Sequence, residues 1–370
     1  MKLNQQDTEL GEIINREIKQ SGPMSLSSYM ALCLTHPKFG YYIKSDPLGA
    51  KGDFITAPEI SQMFGEFIGL FIAGTYQALG SPKKFDLVEL GAGRGTLLKD
   101  AMRVLKNIDG LLPAMRLSLL EVSEPLIRAQ SENLKGFNPN FISDINQLDD
   151  SESPLIIIAN EFFDALPIKQ FQKQNGKWHE RSIGLKKQQN GEELRVFGLA
   201  PMVLPDDVLP SELRQEKDGA IWEVNFASLR QMSEISEKIV KRKGAFLTID
   251  YGYGMTQAGE TFQAVEKHQF TDPLNRPGMA DLTAHINFES LASAANKAGA
   301  KVHNLKTQLE FLLQMGIEER AIALIKANPN HKEEIGIAKN RLIGEKEMGN
   351  LFKALCISSK DLAPYPFINQ

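Results

Sequence analysis

Sulfur and metal-ligand chemistry are scarce in this chain. Its two cysteines, Cys33 and Cys356, make no disulfide framework and cannot by themselves build a zinc site. The six histidines lie scattered at 36, 179, 268, 285, 303 and 331, with no H-E-x-x-H pair and no His/Cys cluster, so no metal is implied. No apolar run approaches the ~18 residues that a membrane-crossing helix needs, and no membrane insertion is expected. A basic excess is missing too: the net charge is −4, which argues against a nucleic-acid surface and hence against a nucleic-acid partner. Residues 1–20 are polar and carry Asp7, Glu9, Glu12 and Glu17, unlike a signal peptide or an Arg-rich, acid-poor transit peptide; a cytoplasmic chain is expected. Internal repeats and low-complexity segments are absent.

What remains is an ordinary globular composition, 42% hydrophobic and 24% charged, in 370 residues, enough for two domains or one elaborated domain. One stretch organises it. Residues 85–90, FDLVEL, form a short apolar run suited to a buried parallel strand. Gly91, Gly93 and Gly95 follow at every second position. Leu97, Leu98, Ala101, Met102 and Leu105 then recur at helical spacing, so the glycines sit between strand and helix. Such a turn lets backbone approach a ligand and aims amides at it from a helix N-terminus. A dinucleotide fingerprint needs G-x-G-x-x-G, and this chain has Thr96 where the third glycine belongs. The pattern E-x-G-x-G-x-G, opened by Glu89, instead resembles the first motif of S-adenosylmethionine (SAM)-dependent methyltransferases of the Rossmann-like class.

The surrounding pattern is α/β. Amphipathic spacing predicts helices over 7–20, 25–34 and 59–79, the last with a broad apolar stripe whose plainest role is core packing. Strands are expected at 115–120, 141–142, 155–159, 245–249, 301–307 and 351–358, with helices over 227–243 and 287–298 between them. Residues 36–58 and 252–281 read as long Gly/Pro-bearing loops. Residues 168–220 carry Gln/Asn/Gly turns between short alternating runs, a hairpin-like insertion. The expected organisation is a Rossmann-like sheet with helices on both faces: an N-terminal helical cap with its aromatic loop at 1–80, the first part of the SAM-binding domain at 81–171, an inserted β-rich segment at 172–243 and the rest of the catalytic domain at 244–370. The insertion reads equally as a substrate lid or as the surface of a homodimer.

Open α/β sheets bind ligands at the carboxyl ends of their strands. Four predicted strand ends carry polar groups: Glu89 with the glycines, Glu121, Asn160-Glu161, and Asp250-Tyr251. Position gives them roles. The amides of Gly91, Gly93 and Gly95 face the cofactor's methionine carboxylate and Glu89 its ammonium. Glu121 accepts from both ribose hydroxyls, and Asp144 meets the adenine amino group. The Glu89–Glu121 separation exceeds the ~20 residues of the dinucleotide pattern, so a first helix lengthened through Leu112 is expected. Asn160-Glu161-Phe162-Phe163 sits where the methyl group leaves, and Glu161 is placed to orient a nitrogen acceptor, with Asn160 shared between cofactor and acceptor.

Longer strings carry a more specific resemblance. GPMSLSSYM (22–30), HPKFGYY (36–42), DPLGAKGDFITAPEISQMFGE (46–66), VELGAGRGTLLKD (88–100), ANEFFDALPIKQF (159–171), IDYGY (249–253), DPLNRPGMADLTAHINF (272–288) and MGNLFKAL (348–355) are similar to the MidA family, which includes the mitochondrial complex I assembly factor that acts as a protein arginine methyltransferase. The resemblance runs from end to end, apart from 101–158 and 172–244, and departs from the family in having Ala92 where proline is favoured. It implies SAM as cofactor and an arginine-bearing protein as substrate, a respiratory complex I subunit or its bacterial counterpart. It also implies that residues 52–59 cap the site and that residues 281–285, His285 included, line the same cleft. Arginine suits a pocket of carboxylates such as Glu161, Asp164 and Asp53, since a guanidinium pairs bidentately with each. Two other readings stand beside this one. A non-catalytic SAM-binding assembly scaffold would keep the fold without turnover. An NAD-type oxidoreductase is disfavoured by the missing third glycine.

Overall fold

A computed structural model describes residues 7–44, 56–148 and 151–368. Its centre is a sheet whose parallel part consists of β1 (Phe85–Leu90), β2 (Met115–Leu120), β3 (Asn140–Ile142), β4 (Leu155–Asn160) and the start of a longer strand, Gly244–Tyr253. The spatial order runs from Gly244–Tyr253 through β4, β1 and β2 to β3, every neighbouring pair parallel. Phe352–Ser358 adds an antiparallel strand outside Gly244–Tyr253. β1 therefore lies between β2 and β4: the chain runs outward from β1 through β2 to β3, then crosses back to β4 on the other side of β1. This is the switch point at which such sheets open a crevice at the carboxyl ends of their strands.

The apolar runs in the sequence follow from burial on both sheet faces. Along β1, Leu87 packs into one core and Val88 and Leu90 into the other. Along β4, Ile156 and Ile158 face the first core, and Leu155, Ile157 and Ala159 the second. The first core is closed by helices α1 (Gln62–Ala78) and α2 (Thr96–Leu105), the second by α4 (Phe226–Arg242) and α5 (Phe288–Lys297). Between them in sequence, α3 (Glu124–Asn133) follows β2. The broad stripe of α1 is core packing, with Phe64, Ile68, Phe71 and Ile72 fully buried.

Three local expectations are corrected. The helix after the glycines does not run to Leu112: it stops at Leu105, and a separate turn, Leu111–Ala114, starts after Gly110 at φ 75°. Residues 252–281 are not one loop. They contain the strands Gln263–Glu266 and Gln269–Thr271, which pair with each other, and Gln263–Glu266 also pairs with Asp281–Thr283. Lys267 and His268 turn this hairpin at φ 53° and 61°, a conformation usually announced by Asn or Gly, so the signal was missing. The expected strand at 301–307 is two short pairings, Lys301–Val302 and Lys306–Thr307, on the final strand.

The inserted segment is a second sheet. Lys169–Gln174, Lys177–Lys187, Glu193–Val203 and Ile221–Val224 pair antiparallel, and Met24–Ser25 joins Lys177–Lys187. The expected boundaries do not coincide with breaks in packing. α4, inside the 172–243 segment, buries Met232, Ile235 and Ile239 against the main sheet. Within 1–80, α1 packs on the main sheet, whereas helices Glu9–Ser21 and Leu26–Thr35 pack with Ile168, Ile183 and the 263–283 strands.

Candidate active site

A cavity of about 220 Å³ opens at the carboxyl ends of β1, β2 and β4. Glu89, Gly91, Gly93, Glu121, Asn160 and Glu161 line it together, so residues far apart in sequence meet where the sheet order reverses. Thr35, Tyr42 and Ile43 contribute from one side, and Thr56, Pro58 and Glu59 from the short helix Ala57–Ile60 and its N-cap.

The glycine turn is formed by left-handed backbone: Gly91, Gly93 and Gly95 have φ 63°, 53° and 80°. Gly91 also lacks room for a side chain, since a Cβ there would stand 2.9 Å from Phe162 Cδ2. Glycine is required on both counts. α2 begins immediately after Gly95, so its N-terminus borders the cavity through Thr96 and Leu97.

Glu89 is 2% exposed, and among the described residues its Oε2 has no hydrogen-bond partner. Burial alone pushes its carboxyl up to about 8. A buried, orphaned carboxylate beside a glycine turn fits a ligand that brings a cationic donor. Glu121 is better supported. Its Oε1 accepts from the Val122 and Ser123 amides at 2.9 and 2.8 Å, and its Oε2 from Gln130 Nε2 at 3.0 Å. Burial raises its carboxyl, and these three bonds oppose the rise.

At the end of β4, Glu161 has φ 49°, an unusual conformation for a side-chain-bearing residue and one found often at functional sites. The Glu161 amide donates to Ile249 O at 2.9 Å, which ties the bend to the neighbouring strand. Its Oε1 accepts from the Ala57 amide at 3.3 Å and from Asn160 Nδ2 at 3.1 Å. Burial, then the nearby Asp164, raises its carboxyl to about 7. Asn160 Oδ1 is buried and, among the described residues, unpartnered.

Asp164 and Asp250 stand behind this surface, outside the cavity lining. Asp250 Oδ2 accepts from the Phe163 and Asp164 amides at 3.0 and 3.2 Å, so it pins the bend after β4. Asp164 Oδ2 accepts from Tyr251 Oη at 2.6 Å, and burial brings its carboxyl to about 6.

Besides Asp164, three expected site residues are placed elsewhere or act indirectly. Asp144 does not line the cavity: its carboxylate caps its own turn, accepting from the Asn146 amide at 2.7 Å. His285 packs edge-on against Tyr251 and lines a separate small cavity with Glu223 and Tyr253, because the 281–283 strand pairs into the three-stranded sheet. Asp281 is not among the residues lining the main cavity, but it accepts from the hydroxyl of Tyr42, which is, at 2.9 Å. Asp53 lies outside the described residues.

Sequence reasoning missed two contributors. The Ala57 amide leaves no trace in a side-chain pattern. Gln130 did leave one: Leu126, Gln130 and Leu134 recur every four residues and all are buried, so a polar residue interrupts an apolar face.

The cavity thus fits SAM, with a glycine turn, an orphaned carboxylate at Glu89 and a supported carboxylate at Glu121. Known proteins agree. The family described as "Putative S-adenosyl-L-methionine-dependent methyltransferase" matches residues 67–306. The mitochondrial protein arginine methyltransferase NDUFAF7 of Danio rerio is 33% identical over 91% of this chain and 84% of its own length. Its Homo sapiens counterpart is 34% identical over 91% and 80%. A Burkholderia thailandensis crystal structure bound to S-adenosyl-homocysteine superposes with a TM-score of 0.81 at 26% identity, covering 94% of this chain and 91% of that one. The mitochondrial relatives overturn the cytoplasmic expectation. That expectation rested on acidic residues 7–20, but helix Glu9–Ser21 buries Leu10, Ile14 and Ile18 in the folded protein, so its charges are those of a solvent face and do not report a compartment. With the family matching most of the chain and relatives aligning along nearly all of it, this protein belongs to that family of S-adenosyl-L-methionine-dependent methyltransferases.

Proposed function

We propose that this chain methylates a guanidinium nitrogen of arginine in a protein substrate, with a respiratory complex I subunit or its bacterial counterpart as the target. The observation that carries the reading is Glu161: a half-buried carboxylate at the cavity wall, held in a left-handed bend and backed by Asp164. The relatives named protein arginine methyltransferases support the same acceptor.

SAM supplies an activated methyl group that leaves a sulfonium, so the protein's task is placement and proton handling. Glu89 takes the cofactor's ammonium, Glu121 its ribose, and the glycine-turn amides its carboxylate. Among the described residues, both hydrogen bonds to Glu161 fall on Oε1. Oε2 is left for the acceptor. A guanidinium held by one carboxylate keeps its plane fixed and presents an edge nitrogen to the methyl group. That nitrogen has a proton to lose, and a carboxyl raised to about 7 is matched to receive it near neutral pH. Asp164, tied to Tyr251, contributes through its charge, and Asn160 fixes the Glu161 rotamer.

Arginine-bearing peptides incubated with SAM and the protein test the reading by mass spectrometry. A 14 Da increment on arginine, lost in Glu161→Gln, supports it; an increment only on lysine or histidine overturns the acceptor assignment.

A further inference from the structure

Gln130 is fully buried in α3, yet it touches both halves of the cofactor site. Its Nε2 donates to Gly93 O at 2.7 Å and to Glu121 Oε2 at 3.0 Å. Both partners are acceptors only, which fixes the orientation of the amide and uses one N–H on each. The helix is seated on the glycine turn by close packing: a Cβ on Gly95 would lie 3.5 Å from Gln130 Cα and 3.5 Å from Leu134 Cδ1. One helical turn on, Asn133 Nδ2 donates to the next carbonyl of the same turn, Arg94 O, at 2.9 Å.

We infer that Gln130 is a positioning residue for ribose recognition: through one amide group it sets the distance between the glycine turn and the carboxylate that takes the ribose hydroxyls. Its chemistry suits that task. A lysine or arginine here would neutralise Glu121 and compete with the hydroxyls for its oxygens. A neutral amide orients the carboxylate and leaves its charge available, so hydroxyl donors meet a strong acceptor. An apolar residue would fill the volume but leave Gly93 O and Glu121 Oε2 without their donor. The inference concerns the cofactor half of the site and stands or falls independently of the arginine acceptor.

The test is calorimetric titration with S-adenosyl-homocysteine and with its 2′,3′-dideoxyribose analogue, on wild type, Gln130→Met, Glu121→Ala and the double variant. Loss of one charge-assisted bond and one neutral bond should weaken S-adenosyl-homocysteine about tenfold in Gln130→Met and the dideoxy analogue less than about threefold. In the Glu121→Ala background, Gln130→Met should then change affinity by less than about threefold, because the residue through which it acts is gone. Equal weakening of both ligands, or a full Gln130→Met loss that persists without Glu121, overturns the inference. Unchanged affinity in Gln130→Met overturns it as well. Should Gln130→Met fail to fold, Gln130→Glu keeps the shape while replacing the donor amide, and the same selective loss is required of it.

Discussion

The Ala57 amide donates to Glu161 Oε1 at 3.3 Å across 104 positions of sequence. Two residues further on, Glu59 Oε1 accepts from Thr96 Oγ1 at 2.5 Å. One turn of helix, Ala57–Ile60, therefore touches both the acceptor carboxylate and the first residue of the helix after the glycine turn. Cofactor and acceptor halves of the cavity share a wall, although their side chains have separate tasks.

That separation is testable at Glu161. Glu161→Gln keeps the side chain's shape and removes its charge. Turnover should fall on the order of 100-fold or more, as for loss of a positioned acid–base group. Affinity for S-adenosyl-homocysteine should stay within about threefold of wild type, since glutamine can still accept from Ala57. Calorimetry alongside a methylation assay distinguishes the two effects, and abolished cofactor binding would contradict the assigned role.

At Gly91, a methyl group is opposed by both backbone and space. The position has φ 63°, and its Cβ would meet Phe162 Cδ2 at 2.9 Å. Gly91→Ala should therefore cost about 1–3 kcal/mol of stability through backbone strain, and it should displace Phe162, the neighbour of Glu161. Chemical denaturation measures the first effect. The second should appear as weakened S-adenosyl-homocysteine binding together with reduced turnover.

Glu89 couples cofactor binding to protons. Its carboxyl stands at about 8 in the folded protein against an ordinary 4.5. The folded state consequently holds a proton that the unfolded chain has released between those values, and this group's contribution to stability declines as pH rises through that window. A bound ammonium favours the ionised form. At pH 7, binding of S-adenosyl-homocysteine should release roughly one proton, and affinity should rise with pH until it levels near 8. Titrations in buffers of different ionisation enthalpy count the protons; Glu89→Gln should remove both the release and the slope.

A fourth expectation lies at the opposite end of β1. Asp86 accepts from Arg116 at 2.6 and 2.8 Å and also from the buried Arg242. Asp86→Ala would leave the Arg242 guanidinium without its carboxylate, and loss of one partner of a buried pair typically costs about 3–5 kcal/mol. Melting temperature should drop while S-adenosyl-homocysteine affinity of the folded protein is unchanged. A normal melting temperature would show that Ser153 O, which also accepts from Arg242, suffices.

Much of this site was legible because strand ends are legible. Continuous apolar runs placed β1 and β2 at 85–90 and 115–120, and the polar residues at their ends, Glu89 and Glu121, are where the cavity opens. Glu161 was legible in the same way. Asp144 misled because a polar residue after an apolar run carries no information about which way its side chain turns. His285 was expected from the family resemblance, and a shared string does not say which neighbour its strand pairs with. The 281–283 strand joined a small antiparallel sheet, and Asp144 turned back on its own backbone. Contacts made by backbone amides, such as Ala57, exist only once the chain is folded.

The most direct test of the account is transfer of an isotopically labelled methyl group from SAM to arginine-bearing protein, with wild type and Glu161→Gln compared at equal cofactor occupancy. Label on arginine with wild type, and its loss in the variant, is the expected result. Label that appears on another residue type, or that Glu161→Gln transfers as fast as wild type, would contradict the account.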